Sequence, residues 1–367
     1  AGVSYFKTSY DFEIPTDNKK DVETAIQILA DIAKNLNLTP KAFERERKIV
    51  EEEYRTDIGG YSNYFDELYK YIHKDSRLLY RKPIGQLDVI QNFKYEDVIS
   101  YYKKWYQPER MGLFVIGEIN SDEILDLIIK YFGEFKNSTE TEDPNYKIPD
   151  FKENQFFLYQ DAVQEDIVFS IWKKDVFKKN NTVENFRHAI ISYLADDIYN
   201  RRLQEINETN EAAFNSAYIY EYEVSDLDVY YLHVTTLKQN SIMQGIEDSL
   251  TIAEQVNRYG FLENELELAK KRRLDYLKQA SIEETTRTSE DFIEEYTNHF
   301  LFEEMISGID KEVEYTEDIF KTISVKDLND YFRNYFKEEN RIISVVAQDQ
   351  IENMPTEEQI ENLIKKV

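Results

Sequence analysis

Two glutamates, Glu46 and Glu53, stand seven residues apart in the stretch TPKAFERERKIVEEEYR at 39–55. On a helix that spacing brings both side chains to one face. The stretch carries helix signals of its own, because Thr39 suits an N-cap and Pro40 the first helical position. At 100° per residue, Phe43, Val50 and Tyr54 fall within about 20° of one line, with Ala42 and Ile49 at the edge of the same apolar arc. Glu46 and Glu53 lie in the middle of that arc, while Glu44, Arg45, Arg47, Lys48, Glu51, Glu52 and Arg55 make an opposite, solvated face. Unpaired charges on an inward face cost several kcal/mol each, so both carboxylates are expected to have partners. Buried Arg or Lys would be the structural answer. Metal ligation or acid–base work would be the chemical one.

The elements that hold this helix follow from periodicity. Residues 5–15 alternate as a half-buried strand, 17–36 reads as a helix with Val22, Ala25, Ile26, Leu29 and Ile32 on one stripe, and 63–73 is helical. The loop 79–85 leads into a short helix, and helices over 95–105 and 121–132 then flank a continuous apolar run at 111–117, read as a buried strand. The polar, proline-bearing stretch 137–150 reads as a connection. Beyond it come strands at 155–159, 166–173, 214–222, 229–237 and 341–347. Helices are read at 183–206, 241–259, 263–279, 288–302, 325–336 and from 355.

The two halves of the chain match. YEDVISYYKKWY followed by MGLFVI is echoed by VKDLNDYFRNYF followed by RIISVV, and the interval from Asp97 to Val115 equals that from Asp327 to Val345. In that register 39–54 lies over 262–277, which puts Glu46 on Ala269 and Glu53 on Tyr276. The second copy keeps the scaffold without the carboxylates, which weakens the view that the fold itself needs them. It also has about 70 residues ahead of its matching strand, including the 183–206 helix, that the first copy lacks. The chain is therefore expected to begin inside a domain.

Composition sets the outer bounds. A chain of 367 residues, 41% hydrophobic and 14% aromatic, can bury a large core in two or three domains. Its net charge of −27 argues against nucleic acid or an anionic membrane as partner. The absence of cysteine removes disulfides, thiolate zinc sites and cysteine nucleophiles, and leaves bacterial periplasm and cytoplasm both open. No apolar run approaches the ~20 residues of a membrane helix, so membrane insertion is not expected.

Arg45-Glu46-Arg47-x-x-Val50-x-x-Glu53, Pro83-Ile84-Gly85, the segment YYKKWYQP at 101–108 and the strand end Val115-Ile116-Gly117 resemble the insulinase/pitrilysin family of zinc metallopeptidases, the inverzincins. The resemblance spans essentially the whole chain. It implies an α+β fold of two structurally related domains, each a largely antiparallel sheet with helices packed on one face, as in the mitochondrial processing peptidases. The first would occupy 1–140 as the later part of a metallopeptidase domain, 141–151 would be a linker, and 152–367 a second, non-catalytic domain. By the same resemblance Glu53 would be a zinc ligand, and Glu46 an acidic residue that orients a histidine ligand or assists catalysis. The family's other ligands and its general base come from H-x-x-E-H. None of His73, His188, His233 or His299 stands in such a motif, and each reads as a structural or surface histidine.

The resemblance thus implies part of a zinc endopeptidase that hydrolyses a peptide or small protein by zinc-activated water. The chain alone is expected to lack zinc and activity, and to need a second family half, fused or separate. The alternative it leaves open is a non-catalytic partner or peptide-binding subunit of the same family.

Overall fold

The computed structural model describes residues 1–57, 61–136, 145–151, 153–176, 181–209, 212–224 and 228–367. Along the first part of the chain run β1 (Gly2–Val3), β2 (Thr8–Ser9), α1 (Lys19–Lys34), α2 (Pro40–Asp57), α3 (Tyr61–Ile72), α4 (Leu87–Asn92), α5 (Tyr95–Trp105) and α6 (Ser121–Phe132). Then follow β3 (Gln155–Asp161), β4 (Ile167–Val176), α7 (Val183–Glu208), β5 (Phe214–Glu223), β6 (Asp228–Leu237), α8 (Ile242–Tyr259) and α9 (Glu263–Glu283). The chain closes with α10 (Ser289–Phe302), α11 (Ile309–Phe320), α12 (Val325–Tyr335), β7 (Arg341–Gln348) and α13 (Glu357–Lys366). The class is α+β, as the sequence implied.

The elements group into two compact units that interleave along the chain. One is 1–58, 77–146 and 288–300; the other is 59–76, 147–287 and 301–367. A single cut at 141–151 therefore does not separate them. The helix α3, read with the first domain, belongs to the second unit, and most of α10, read with the second, belongs to the first. These helices follow α2 and α9, the two members of the duplicated pair, so the exchange is reciprocal.

In the first unit α1 packs on α6 through Val22, Ile26 and Ile124, with Val115, Ile128 and Phe132 around them. Lys19 pairs with Glu123 and Lys130 with Glu23 along the seam. The run at 111–117 delivers Val115 to this core but forms no strand, and of 5–15 only β2 pairs, with β1. Among the described residues the sheet of the first unit is limited to the antiparallel pair β1 and β2. A strand exists only through a neighbour that takes up its backbone groups, and no described segment pairs with 111–117.

The second unit holds a five-stranded sheet in the order β3-β7-β4-β6-β5, with β3 parallel to β7 and every other pairing antiparallel. Phe169 and Ile171 of β4, Tyr231 of β6 and Val345 of β7 face one core with Leu194, Ala195 and Ile198 of α7 and Phe332 of α12. Strand residues alternate between faces, so Phe157, Trp172 and Tyr230 project to the other side. There α3 covers them in part: Tyr71 and Tyr64 lie 5.0 and 6.1 Å from the Phe157 ring, and the Tyr230 hydroxyl donates to the Ile72 carbonyl at 2.6 Å. Helices therefore lie on both faces of this sheet, not on one.

The duplicated register has its counterpart in the backbone. Both α5 and α12 span 11 residues and place an aspartate at their third position, where Asp97 accepts from the Lys94 amide at 2.7 Å and Asp327 from the Ser324 amide at 2.8 Å. Both α2 and α9 begin at the same point of the alignment, Pro40 and Glu263. One helix escaped the sequence reading, α11, whose acidic first turns hide a short apolar stripe ending at the buried Ile319.

A buried ion pair fastens the segment after the linker. The ammonium of Lys174 lies 3.2 Å from Asp228, and neither side chain has any exposure. The other Asp228 oxygen accepts from the amide of Ile148, itself fully buried, at 3.1 Å, while solvent-exposed Asp150 approaches Lys174 at 3.0 Å. Residue 148 thus belongs to the second unit, although it was read as linker. Removing one partner of a buried pair strands the other charge. Asp228→Asn is expected to lower unfolding free energy by about 3–5 kcal/mol in urea titrations, against less than about 1 kcal/mol for Asp150→Asn.

Candidate functional site

The helix α2 starts as the sequence indicates, with Thr39 Oγ1 accepting from the Ala42 amide at 3.2 Å. Its rotation differs from the expected one, because Arg47 and not Glu46 is turned toward the protein. The Arg47 guanidinium donates to the carbonyls of Ile90 and Phe93 at 2.6 and 2.5 Å, at the end of α4. It also lies 4.5 Å from the centre of the Phe43 ring and 4.6 Å from that of Phe93. Phe43 meets Phe93 and Tyr95 edge-on at 5.2 and 5.9 Å. One turn on, Glu51 accepts from the Gln91 amide at 2.7 Å. Phe43, Arg47 and Glu51, four residues apart, form the packed line, so two members of the supposed solvated face are half-buried against α4.

Glu46 and Glu53 are consequently exposed. The side chain of Glu46 is 55% exposed and pairs with Arg45 at 2.6 Å; Ile49, one turn on, is 53% exposed, and Glu53 follows on the same face. The expectation of two carboxylates buried on the apolar arc is therefore corrected. They do share one face, with about 10 Å of helix rise between them.

In the second copy the same face meets a different environment. Ala269 is fully buried and Tyr276 is 62% exposed. There α7 lies against α9, through Arg202–Glu265 at 2.5 Å, Arg272–Asp197, and the Arg273 guanidinium 4.6 Å from the Tyr193 ring. Among the described residues of the first unit no helix takes the place of α7 over α2.

His73, His188 and His233 belong to the second unit, and His299, on α10, to the first. His73 is buried and stacked on Tyr69 at 4.7 Å, and His233 is buried in β6 with Nε2 3.4 Å from the Tyr199 hydroxyl. Burial holds both imidazoles neutral, with pKa values pushed down to about 4. His188, on α7, faces the Tyr331 ring edge-on, and burial lowers its pKa as well. Among the described residues no three His, Asp or Glu side chains converge so as to hold a metal ion. A catalytic zinc needs three protein ligands, so the residues present do not by themselves fit one; Glu53 could supply a single oxygen ligand.

Fold and site thus define an α+β chain built on a duplicated scaffold, with an acidic helix face in the first copy. Residues 1–70 match the family model described as insulinase (peptidase family M16), and 92–273 match that of the peptidase M16 inactive domain. The chain belongs to the insulinase (M16) peptidase family. A zinc protease PQQL-like protein of Arabidopsis thaliana is 23% identical over 327 residues, covering 89% of this chain and 31% of that protein. A probable zinc protease PqqL of Haemophilus influenzae is 23% identical over 274 residues, 72% of this chain and 29% of that protein. The chain spans about three-tenths of the length of these relatives. In fold it is similar to the first half of the periplasmic protease PqqL of Escherichia coli, with a TM-score of 0.90 at 16% identity over 96% of this chain and 76% of that one. It also resembles the ferredoxin protease FusC in complex with Arabidopsis ferredoxin, with a TM-score of 0.81 and 18% identity over 96% of this chain and 39% of that one. No helix among the described residues is long and apolar enough to cross a membrane.

The packing separates stability from chemistry on α2. Arg47→Ala is expected to cost about 2–3 kcal/mol, since it removes charged hydrogen bonds and two ring contacts, with Trp105 fluorescence reporting the unfolding of this unit in urea. Glu46→Gln and Glu53→Gln, on the exposed face, are expected to change it by less than about 0.5 kcal/mol. The buried histidines give a second expectation. Their folded pKa of about 4 lies below the unfolded value of about 6.5, so stability is complete above the unfolded pKa and is lost as pH falls through the folded one. His233→Phe should make that acid limb shallower by up to about 3 kcal/mol, read from urea midpoints between about pH 7 and pH 4.

Proposed function

We propose that this chain is part of a zinc-dependent endopeptidase of the M16 family, to which it contributes the helix face bearing Glu46 and Glu53. The observation that carries the reading is the exposure of both carboxylates on one face of α2, where the second copy has Ala269 under α7 and an outlying Tyr276. An acidic pair that the packing of α2 does not use, and that the sister helix dispenses with, is available for chemistry. The names of the relatives as zinc proteases support the metal. In this reading Glu53 is one zinc ligand and Glu46 positions another. The remaining ligands and the general base lie outside the residues given, and the substrate is a peptide or small protein. The region as given is then inactive alone and works with a second family half, fused or separate.

A second reading, a non-catalytic or peptide-binding subunit, draws on the match of 92–273 to an inactive domain and on the lack of a three-ligand cluster among the described residues.

Metal analysis and a quenched-peptide assay on the chain as given, beside the full-length gene product, separate the two. The first reading expects stoichiometric zinc and chelator-sensitive cleavage in the longer protein only. There Glu53→Gln should abolish zinc retention, and Glu46→Gln should lower cleavage at least about tenfold while sparing much of the metal. A longer protein with neither zinc nor cleavage favours the second reading, and zinc-dependent cleavage by the short chain overturns the first.

A further inference from the structure

In the second unit β5 is the last strand of the sheet, paired with β6 on one side and with no described strand on the other. In an antiparallel ladder alternate residues turn both backbone groups outward. Ile219 is such a residue. Its amide donates to Asn200 Oδ1 at 2.7 Å, and its carbonyl accepts from Asn200 Nδ2 at 3.0 Å. Asn200 belongs to α7, so a single helix side chain meets both outward groups of an edge residue. A carboxamide carries the same donor and acceptor as a peptide group. It engages Ile219 as the paired residue of a sixth strand would.

The same alternation turns the backbone groups of Ala217 and Glu221 outward, two residues to either side, and among the described residues no side chain meets them. Alongside this edge α7 and β5 leave a groove of about 440 Å³, whose lining includes Tyr193, Asn200, Gln204, Ile219 and Tyr220. Tyr218 and Tyr220 are exposed and stacked at 5.8 Å. They stand on the face of β5 opposite to that of Ile219. An edge strand with outward backbone groups, room beside it and aromatic rings at its flank is a template for a further strand.

We propose that the β5 edge is a docking site for an extended, cationic polypeptide segment, and that Asn200 holds it closed until the segment displaces the carboxamide. Two observations choose the occupant. The group seated at Ile219 is itself an amide, so the position is already shaped for a peptide group. A second copy of the chain would bring a net charge of −27 against another −27, whereas a segment carrying lysine or arginine is drawn to it. In the docked state alternate side chains of the segment lie beside Tyr218 and Tyr220 on one face and enter the groove beside Tyr193 and Gln204 on the other. The segment has to break both Asn200 hydrogen bonds before it makes its own, so removing the carboxamide should tighten binding about tenfold or more. Docking needs neither zinc nor Glu46 and Glu53, and it stands or falls separately from the peptidase reading.

The test uses the whole chain and a fluorescein-labelled, unstructured peptide of alternating threonine and lysine, beside the same peptide with its central amides N-methylated. Fluorescence anisotropy should show the first peptide binding about tenfold or more tightly to Asn200→Ala than to the unmodified protein. The methylated peptide keeps the charge and loses the ladder donors, so it should bind neither. In hydrogen exchange, saturating peptide should slow the amides of Ala217 and Glu221 in both proteins. The Ile219 amide, protected by Asn200 in the unmodified protein, should exchange freely in Asn200→Ala until peptide is added. Equal affinity of the two proteins, equal binding of the two peptides, or no added protection at Ala217 and Glu221 overturns the proposal. So does an Asn200→Ala protein that dimerises through this edge and leaves the peptide unbound, which assigns the edge to a second copy. If Asn200→Ala does not fold, the protection at Ala217 and Glu221 in the unmodified protein decides.

Discussion

The placement of Arg47 sets how the first unit presents its acidic helix. A guanidinium can be buried only if its donors are met. The carbonyls of Ile90 and Phe93, at the end of α4, take its two terminal nitrogens at the negative pole of that short helix. Two aromatic faces, Phe43 and Phe93, close over the cation. Once that geometry is fixed, the rotation of α2 is fixed too. Glu46 is the preceding residue, one 100° step away, and Glu53 lies two turns on along its line. Both carboxylates are delivered outward as a consequence of burying a neighbouring charge of the opposite sign.

Much of this was legible in the residues. The patterns of 95–105, 121–132 and 183–206 announced α5, α6 and α7, and the apolar run 341–347 announced β7. The rotation of α2 was not legible, because hydropathy assigns arginine to water. Its three methylenes and planar head can be buried on aromatic rings when carbonyls lie beyond. Glu51 was misplaced for the same reason: Gln91, its partner, is 40 residues away in sequence. The strands expected at 5–15 and 111–117 failed differently. Their alternation and apolarity were real, and Val115 does enter a core, but pairing is a property of two segments and no local pattern reports the second.

The interleaving of the two units was hidden for a related reason. Helix α3 reads as an ordinary amphipathic helix of the first half, and nothing in 61–72 says which apolar surface it will cover. The surface belongs to the second unit, where Phe157, Trp172 and Tyr230 leave a sheet face rich in aromatic rings. Most of α10 is given up by the second half to the first unit, where Phe300 meets Phe114 at 6.0 Å. A duplicated chain can make such an exchange because both helices hold the same place in the repeat, so each unit is completed by a helix from the other half's sequence.

The duplication also bears on where ionisable side chains are tolerated. In the second copy α9 is closed by α7 through Asp197, Arg202 and Tyr193, and the position matching Glu46 has become an alanine of the core. The polar line of the same α7, through Ser192 and Asp196, points instead to β5 and α12, where tyrosine hydroxyls receive it. The acidic groups of the second copy are therefore not displaced relics of Glu46 and Glu53. They occupy a different helix and a different face, and each is tied to hydroxyl donors that would have to be removed before it could reach an ion or a substrate. Among the described residues Glu53 is tied to none, and Glu46 only to the neighbouring Arg45 on an open surface. The two copies differ less in how acidic they are than in whether their acids are already engaged, and that difference leaves the acidic face of α2, and not that of α7, open for the role proposed for it.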